Sequence, residues 1–301
     1  MDLHYLKIFH TVAKCLSFKK ASEKLHISQP ALSIQVKKLE GQTGLKLFNK
    51  IGNKIFLSES GEMLYSYTRK IFAIVEDMEN HINTIKEVIG GTINLGASNT
   101  PGTYILPYVI GEMKKKYPAV TVTLHVGDTS EITNLIENGT LDVAVNGGNG
   151  TYNTSIYVKK LFDDRLVVVA SPKHTLSEKE LVEPENLAEL SFIVHNTTSQ
   201  LYTYYKSFIG EYHIPENIGM HFGSIDAIKH AIYANLGVAI MPYYAVKLEV
   251  KMGLLKVLNI NCDKLTYPYS MIYNKNKYLS LTTKTFIEVL TQCAEGSEIE
   301  C

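Results

Sequence analysis

The chain has 301 residues, 45% hydrophobic and 20% charged, the balance of an ordinary globular protein with room for more than one domain. No apolar run reaches the ~20 residues that span a bilayer, and the opening Met1 to Lys7 lacks a basic region leading into an apolar core, so no signal peptide or membrane partner is expected and the expected location is cytoplasmic. A formal net charge of zero hides a segregation: residues 1–57 hold ten lysines against Asp2, Glu23 and Glu40, a net +7, which singles out the N-terminal part as the one that meets a polyanion.

Leu3, Leu6, Phe9, Val12 and Ala13 recur at helical spacing and predict an amphipathic helix over 3–14. Ser17 can cap a second helix carrying Phe18, Ala21 and Leu25 on one face, and Ser28 can cap a third. Pro30 falls in the first turn of that third helix, where a missing N–H costs little. Leu32, Val36 and Leu39 form its buried face, which leaves Pro30, Ser33, Ile34 and Lys37 facing out and Gln29 at the exposed N-terminal end. Two short helices joined by a tight turn fit a major groove. Gln29 can offer a bidentate amide to a base edge, whereas lysines hold phosphates. Gly44 to Phe48 opens a two-stranded wing with Asn53 at its tip and Lys50 and Lys54 flanking it. The competing reading is a solvated basic bundle.

From Ser58 to Val88 there is no proline, and the one glycine, Gly61, lies in the first turn. Leu64, Ile71, Met78 and Ile85 recur every seven residues, with Tyr67, Ile74, His81 and Val88 at the second seam position. Four heptads predict a long helix paired with a second copy of the chain, or else laid on its own C-terminal domain. His81 reads as a tolerated polar seam position.

After Gly90-Gly91 strand-like runs alternate with helical ones: 93–97, a helix over 101–116, 120–126, a helix over 130–138, then 143–145. A second series follows from about Arg165: 166–170, 192–194, a helix over 202–212, 219–222, a helix over 225–235, and 238–241. Residues 267–273 return to the first lobe, followed by a helix over 281–293. This order implies two α/β lobes, each a mostly parallel sheet with helices on both faces, and a cleft between them. Ligands bind beyond the carboxyl ends of such strands, where helix N-termini offer free N–H groups. The residues placed there are Ser98, Asn99, Thr100, Thr129, Ser130, Asn146, Gly147, Thr197, Thr198, Ser199 and Ser224, with His195 ending a strand. Each alone is an ordinary helix cap; together they predict a site for a small anion, a carboxylate or an inorganic oxyanion.

Cys15, Cys262, Cys293 and Cys301 have no metal-type or CxxC spacing and read as reduced thiols. No phosphate loop, HExxH or GxSxG elbow occurs, and carboxylates are not paired on one element, so neither enzyme, metal site nor cofactor is expected. A free solute-binding protein would leave the basic unit and the heptad helix unexplained.

The run Ala21 to Ser33, with Leu39-Glu40, Gly44, Leu47-Phe48 and Leu57 to Gly61, resembles the helix-turn-helix and wing of the LysR family of bacterial transcriptional regulators. Leu106-Pro107, Tyr117-Pro118, Gly139 to Asp142 and Gly237 to Pro242 are similar to landmarks of that family's effector domain, and Gly96 to Pro107 is most similar to the subgroup regulating sulfur and cysteine metabolism. The resemblance implies an α+β multidomain chain. A winged helix-turn-helix would occupy 1–57 and a linker and dimerisation helix 58–89. A two-lobed domain resembling periplasmic binding proteins would fill 90–301, with lobe I at 91–162 and 267–294 and lobe II at 163–266. It also implies a homodimer or homotetramer on inverted-repeat double-stranded DNA, a small-molecule effector, and a function compatible with contact to RNA polymerase. Ile34 stands where the family usually has an arginine, and Lys50 and Asn53 replace arginines common in the wing.

Overall fold

In the computed structural model of the chain, Asp2 starts the first helix: its carboxylate accepts the His4 N–H at 2.8 Å, and α1 runs Leu3–Cys15. The structure describes residues 2–52, 54–85, 89–262 and 265–296, so Asn53, Val88 and Cys301 lie outside it, as do the side chains of His81 and Ile85. Two units emerge, Met1–Ile89 with Lys277–Leu281 and Gly90–Asn276 with Thr282–Cys301.

In the first unit α2 (Phe18–Leu25) is capped by Ser17, whose hydroxyl accepts the Lys20 N–H, and α3 (Gln29–Thr43) by Ser28, which accepts the Ala31 N–H. His26 closes α2 in the left-handed region at φ 53° and makes the tight turn. Leu32, Val36 and Leu39 of α3 join Phe9, Val12 and Ala21 in one core, each fully buried leucine, valine or phenylalanine contributing about 1.5–3 kcal/mol relative to exposure. The wing is an antiparallel pair, β1 (Phe48–Ile51) and β2 (Lys54–Leu57). The Glu40 carboxylate at the end of α3 accepts the Leu47 N–H at 2.8 Å and fixes the wing's root.

The long helix is α4 (Glu59–Ile85). Its expected seam divides. Leu64 and Ile71 turn inward onto the helix-turn-helix core, as do Tyr65 and Phe72. Tyr67, Ile74 and Met78 face out at 59%, 53% and 54% exposure, accompanied by Met63 and Ile82. The heptad count had merged two faces, because half of the apolar residues serve the packing of α4 on α1. His10 of α1 sits in that packing, between the rings of Tyr65 and Phe72, with Nδ1 3.1 Å from the Thr68 hydroxyl.

In the second unit β3 (Gly91–Ser98) pairs in parallel with β4 (Val120–Gly127) and with β5 (Val143–Gly147). The single helix expected over 101–116 is two, α5 (Asn99–Tyr104) and α6 (Leu106–Lys116). Pro107 in the first turn of α6 has no N–H to continue the ladder, and Ile105 kinks the chain at φ −114°, ψ −59°. Helix α7 (Thr129–Glu137) packs against β3 and β5.

One strand, β6 (Ile156–Ala170), makes the first crossing between lobes. In lobe II β7 (Phe192–His195) and β8 (Ile218–Phe222) pair in parallel, and α8 (Gln200–Glu211) and α9 (Ile225–Tyr233) follow them. Strand β9 (Ala239–Pro242), α10 (Tyr243–Lys251) and β10 (Lys256–Val257) complete that lobe. Strand β11 (Thr266–Asn274) makes the return crossing and α11 (Leu281–Glu295) closes the described chain. The order is β10-β6-β11-β5-β3-β4, with β9 also on β6. β6 is antiparallel to β9, β10 and β11, and β11 is antiparallel to β5. The sheets are therefore mixed, not mostly parallel, because the crossing strands run against their neighbours.

Candidate functional site

The basic unit presents its polar groups from one helix end. Gln29 and Pro30 are exposed at the start of α3, Ser33 is half-buried, and Ile34 and Lys37 are exposed one turn further on. Ile34 is 56% exposed, an apolar group on the face that fits a groove. Lys50 and Lys54 are exposed on the two strands of the wing and sit close to its turn, on opposite sides of Gly52.

The second unit holds a small cavity of about 30 Å³ between its lobes. Ser98, Asn99 and Thr100 line it from the start of α5, and Asp128 and Thr129 from the start of α7. Ser199, Gln200 and Leu201 come from the start of α8, Ile225 from the start of α9, His195 from the end of β7 and Tyr267 from β11. Three helices of nine residues or more thus aim their N-terminal N–H groups at one space, where the helix dipole favours negative charge.

Six of the expected residues meet there: Ser98, Asn99, Thr100, Thr129, His195 and Ser199. Their hydroxyls are not equally available. Ser199 spends its oxygen capping α8 through the Tyr202 N–H at 3.2 Å, and Ser98 accepts the Gly147 N–H at 2.9 Å. His195 is 4% exposed, and neither ring nitrogen has a hydrogen-bond partner among the described residues. Burial lowers its pKa, with the charge of Asp128 opposing, so the ring stays neutral and offers one N–H and one lone pair.

The other expected residues do not line the cavity. Ser130, Thr197, Thr198 and Ser224 are exposed, because one residue's offset at a helix start turns a side chain from cleft to solvent. Asn146 is fully buried beside it, its Nδ2 donating to Thr133 Oγ1 at 3.3 Å. Gly147 supplies room instead: a Cβ there would lie 2.5 Å from the Tyr267 ring. Asp128, Gln200, Leu201, Ile225 and Tyr267 were not anticipated. Asp128 adjoins the expected Thr129 and was within reach of the same argument, whereas nothing local marks Tyr267.

A polar network joins the lobes at the rim. The Tyr104 hydroxyl at the end of α5 donates to Asp226 Oδ1 of α9 at 2.8 Å. Lys229, 8% exposed, bridges Asp226 at 3.0 Å and Glu249 of α10 at 2.6 Å, and its ammonium lies 4.8 Å from the Tyr104 ring centre. On β6, where the chain crosses, Asp164 accepts the backbone N–H groups of Arg165 at 2.8 Å and Tyr244 at 3.1 Å, while burial pushes its pKa up to about 6.

Comparison with known proteins agrees with this architecture. Residues 3–62 match the family described as "Bacterial regulatory helix-turn-helix protein, lysR family", and residues 86–294 match the "LysR substrate binding domain". The chain is 33% identical over 292 residues to "Probable RuBisCO transcriptional regulator" of Cyanophora paradoxa, covering 95% of this chain and 90% of that protein. It is 31% identical to "HTH-type transcriptional activator CmpR" of Synechocystis, covering 96% and 94%. Full-length OxyR from Pseudomonas aeruginosa has the same fold, with a TM-score of 0.76 at 22% identity over 98% of this chain and 94% of that one. The Synechocystis CcmR regulatory domain, solved in complex with 2-PG, aligns at a TM-score of 0.63 and 23% identity over 68% of this chain and 98% of that one. None of these is named for sulfur or cysteine metabolism, so the subgroup resemblance of Gly96 to Pro107 is not carried forward. The chain belongs to the LysR family: it is a DNA-binding transcriptional regulator, not an enzyme, with a small-molecule-binding domain following its helix-turn-helix.

Proposed function

We propose that this regulator reads double-stranded DNA with the N-terminal half of α3 and answers to a small anion held between the lobes of its second unit. Gln29 makes the base-edge hydrogen bonds, with Pro30 and Ser33 beside it. Ile34 contributes an apolar contact of the kind made to a thymine methyl. Lys37, Lys50, Lys54 and Asn53 hold phosphate or the adjoining groove. The exposure of Gln29, Pro30, Ile34 and Lys37 on α3 and of Lys50 and Lys54 on the wing supports this assignment. Ser98, Asn99, Thr100, Thr129, His195 and Ser199 form the effector site.

The observation that carries the effector reading is the meeting of three helix N-termini with a buried histidine that has no hydrogen-bond partner among the described residues. CcmR was solved with 2-PG, and QuiR, another structural neighbour, with shikimate; both ligands are small acids. The exposed stripe of Met63, Tyr67, Ile74, Met78 and Ile82 supports pairing of α4 with a second copy, hence two recognition helices on an inverted repeat. We assign the division at residues 57 and 89 to the same logic, and the site of action to the cytoplasm, where the DNA is.

The test is a gel shift with DNA from upstream of the protein's own gene. The wild type binds a discrete site, Gln29→Ala loses the preference for it, and small carboxylates alter the complex. Equal footprints for wild type and Gln29→Ala would refute the reading role of α3. Binding of neutral or cationic metabolites alone would refute the anion site.

A further inference from the structure

The interlobe cavity brings opposite chemistries together. The N–H groups that open α7, α8 and α9 meet there with the buried His195 ring, whose two nitrogens have no hydrogen-bond partner among the described residues. Beside the start of α7 stands Asp128. It occupies the N-cap position of α7, yet its side chain does not cap that helix, and among the described residues its carboxylate makes no hydrogen bond or ion pair. Among the described residues no lysine or arginine lines the cavity. The other titratable group lining it is Tyr267, Tyr205 of α8 lies behind His195, and the Asp226–Lys229 pair of α9 is engaged with Tyr104 and Glu249. The ligand thus meets several donors and one acceptor-only group.

We propose that the effector is a small 2-hydroxy acid, whose carboxylate takes the helix N–H groups and His195 and whose hydroxyl donates to Asp128. This rests on the anion reading of the cleft and narrows it. A plain carboxylate or a fully ionised oxyanion would bring negative charge against Asp128 with no proton between them, and like charges left unbridged in a partly desolvated site repel. An α-amino acid would set its ammonium beside Asp128, but that cation would also lose its hydration close to three helix N-termini, which disfavour positive charge. A hydroxyl donates without adding charge. In a 2-hydroxy acid the two functions sit on adjacent carbons, which suits a cavity of about 30 Å³ that admits few atoms without the lobes parting. His195, neutral because it is buried, donates to the carboxylate through its single N–H.

The test is calorimetric titration of the full-length protein with acetate, glycolate and glycine. Glycolate should bind at least tenfold tighter than either of the others. Asp128→Ala should erase that margin while leaving acetate binding equal or stronger, and His195→Phe should weaken glycolate and acetate alike. Equal affinity for acetate and glycolate, or a margin that survives Asp128→Ala, overturns the hydroxy-acid assignment and leaves the anion site standing. Preference for glycine also overturns it. Failure of all three probes overturns both. The selectivity of the wild-type protein decides the matter even if a variant fails to fold.

Discussion

Replacing Gly61 by alanine pits helix propensity against sterics. Gly61 lies in the first turn of α4, where alanine is intrinsically better by about 1 kcal/mol, so propensity alone predicts a gain. A Cβ at Gly61, however, would stand 2.1 Å from the Leu47 carbonyl oxygen and 3.1 Å from a methyl of Leu57. The oxygen cannot retreat freely, because it accepts the Ser58 N–H at 3.0 Å at the root of the wing. Overpacking of this kind costs about 1–3 kcal/mol, and weakening that hydrogen bond about 1 kcal/mol more. Net of propensity, Gly61→Ala should destabilise the N-terminal unit by about 1–3 kcal/mol. The control is Gly41 in α3, where nothing lies within 4 Å of the added carbon; Gly41→Ala should stabilise, by at most about 1 kcal/mol. Thermal unfolding followed by circular dichroism reads both, since 1 kcal/mol moves the midpoint of a domain this size by about 4–8 °C. DNA affinity should fall for Gly61→Ala, whose wing is displaced, and not for Gly41→Ala. Equal midpoints for the two variants, or a raised midpoint for Gly61→Ala, would refute the argument.

The remaining predictions concern charge. Burial, then the charges of Lys14 and Arg69, lower the His10 pKa to about 4; the unfolded chain therefore takes its proton first, and stability falls as pH drops from about 6.5 towards 4, by no more than about 3 kcal/mol. In His10→Phe, which keeps the stacking, this part of the pH dependence of the melting midpoint should disappear; an unchanged slope would assign it to other groups. Lys50→Ala and Lys54→Ala should each reduce the slope of log affinity against log salt by about 1 and weaken binding to all DNA sequences alike, and a loss confined to one sequence would contradict a phosphate role. Tyr104→Phe and Asp226→Asn should be coupled in a double-mutant cycle by about 1–2 kcal/mol of stability; additive effects would show that the cross-lobe bond contributes nothing.

The helix-turn-helix was legible because its signals are local. Ser17 and Ser28 announce helix starts by the chemistry of their own side chains, and Leu32, Val36 and Leu39 mark one face without reference to anything distant. The seam of α4 was only half legible: periodicity says that Leu64 and Tyr67 are both apolar, and only packing against α1 decides that one turns in and the other out. The first half of β6 went unread because Lys159, Lys160, Asp163 and Asp164 interrupt its apolar pattern, and what holds it is pairing with β11, about a hundred residues later. The cleft followed the same division. Helix starts that could bear a ligand were identifiable, but the register that admits Ser199 and turns Thr197 and Thr198 to solvent belongs to the folded lobes. Asp128 lies one residue before the candidates at this helix start, because the sequence pattern begins the helix at Ser130 and the folded helix begins at Thr129.

The placement of β11 has a consequence for synthesis. It lies in the middle of the lobe I sheet, between β5 and β6, yet is made after both of them. Between Gly147 at the end of β5 and Thr266 at the start of β11 lie 118 residues, roughly 6–24 s of translation at about 5–20 residues per second. Throughout that interval the nascent lobe I exposes two open strand edges, and an unpaired edge is a template for pairing with another chain. Lobe II, contiguous from β6 to β10, can meanwhile complete itself on the ribosome. Chaperone demand should therefore concentrate on this window, and a message truncated just before codon 266 should yield aggregates and not a stable half-protein.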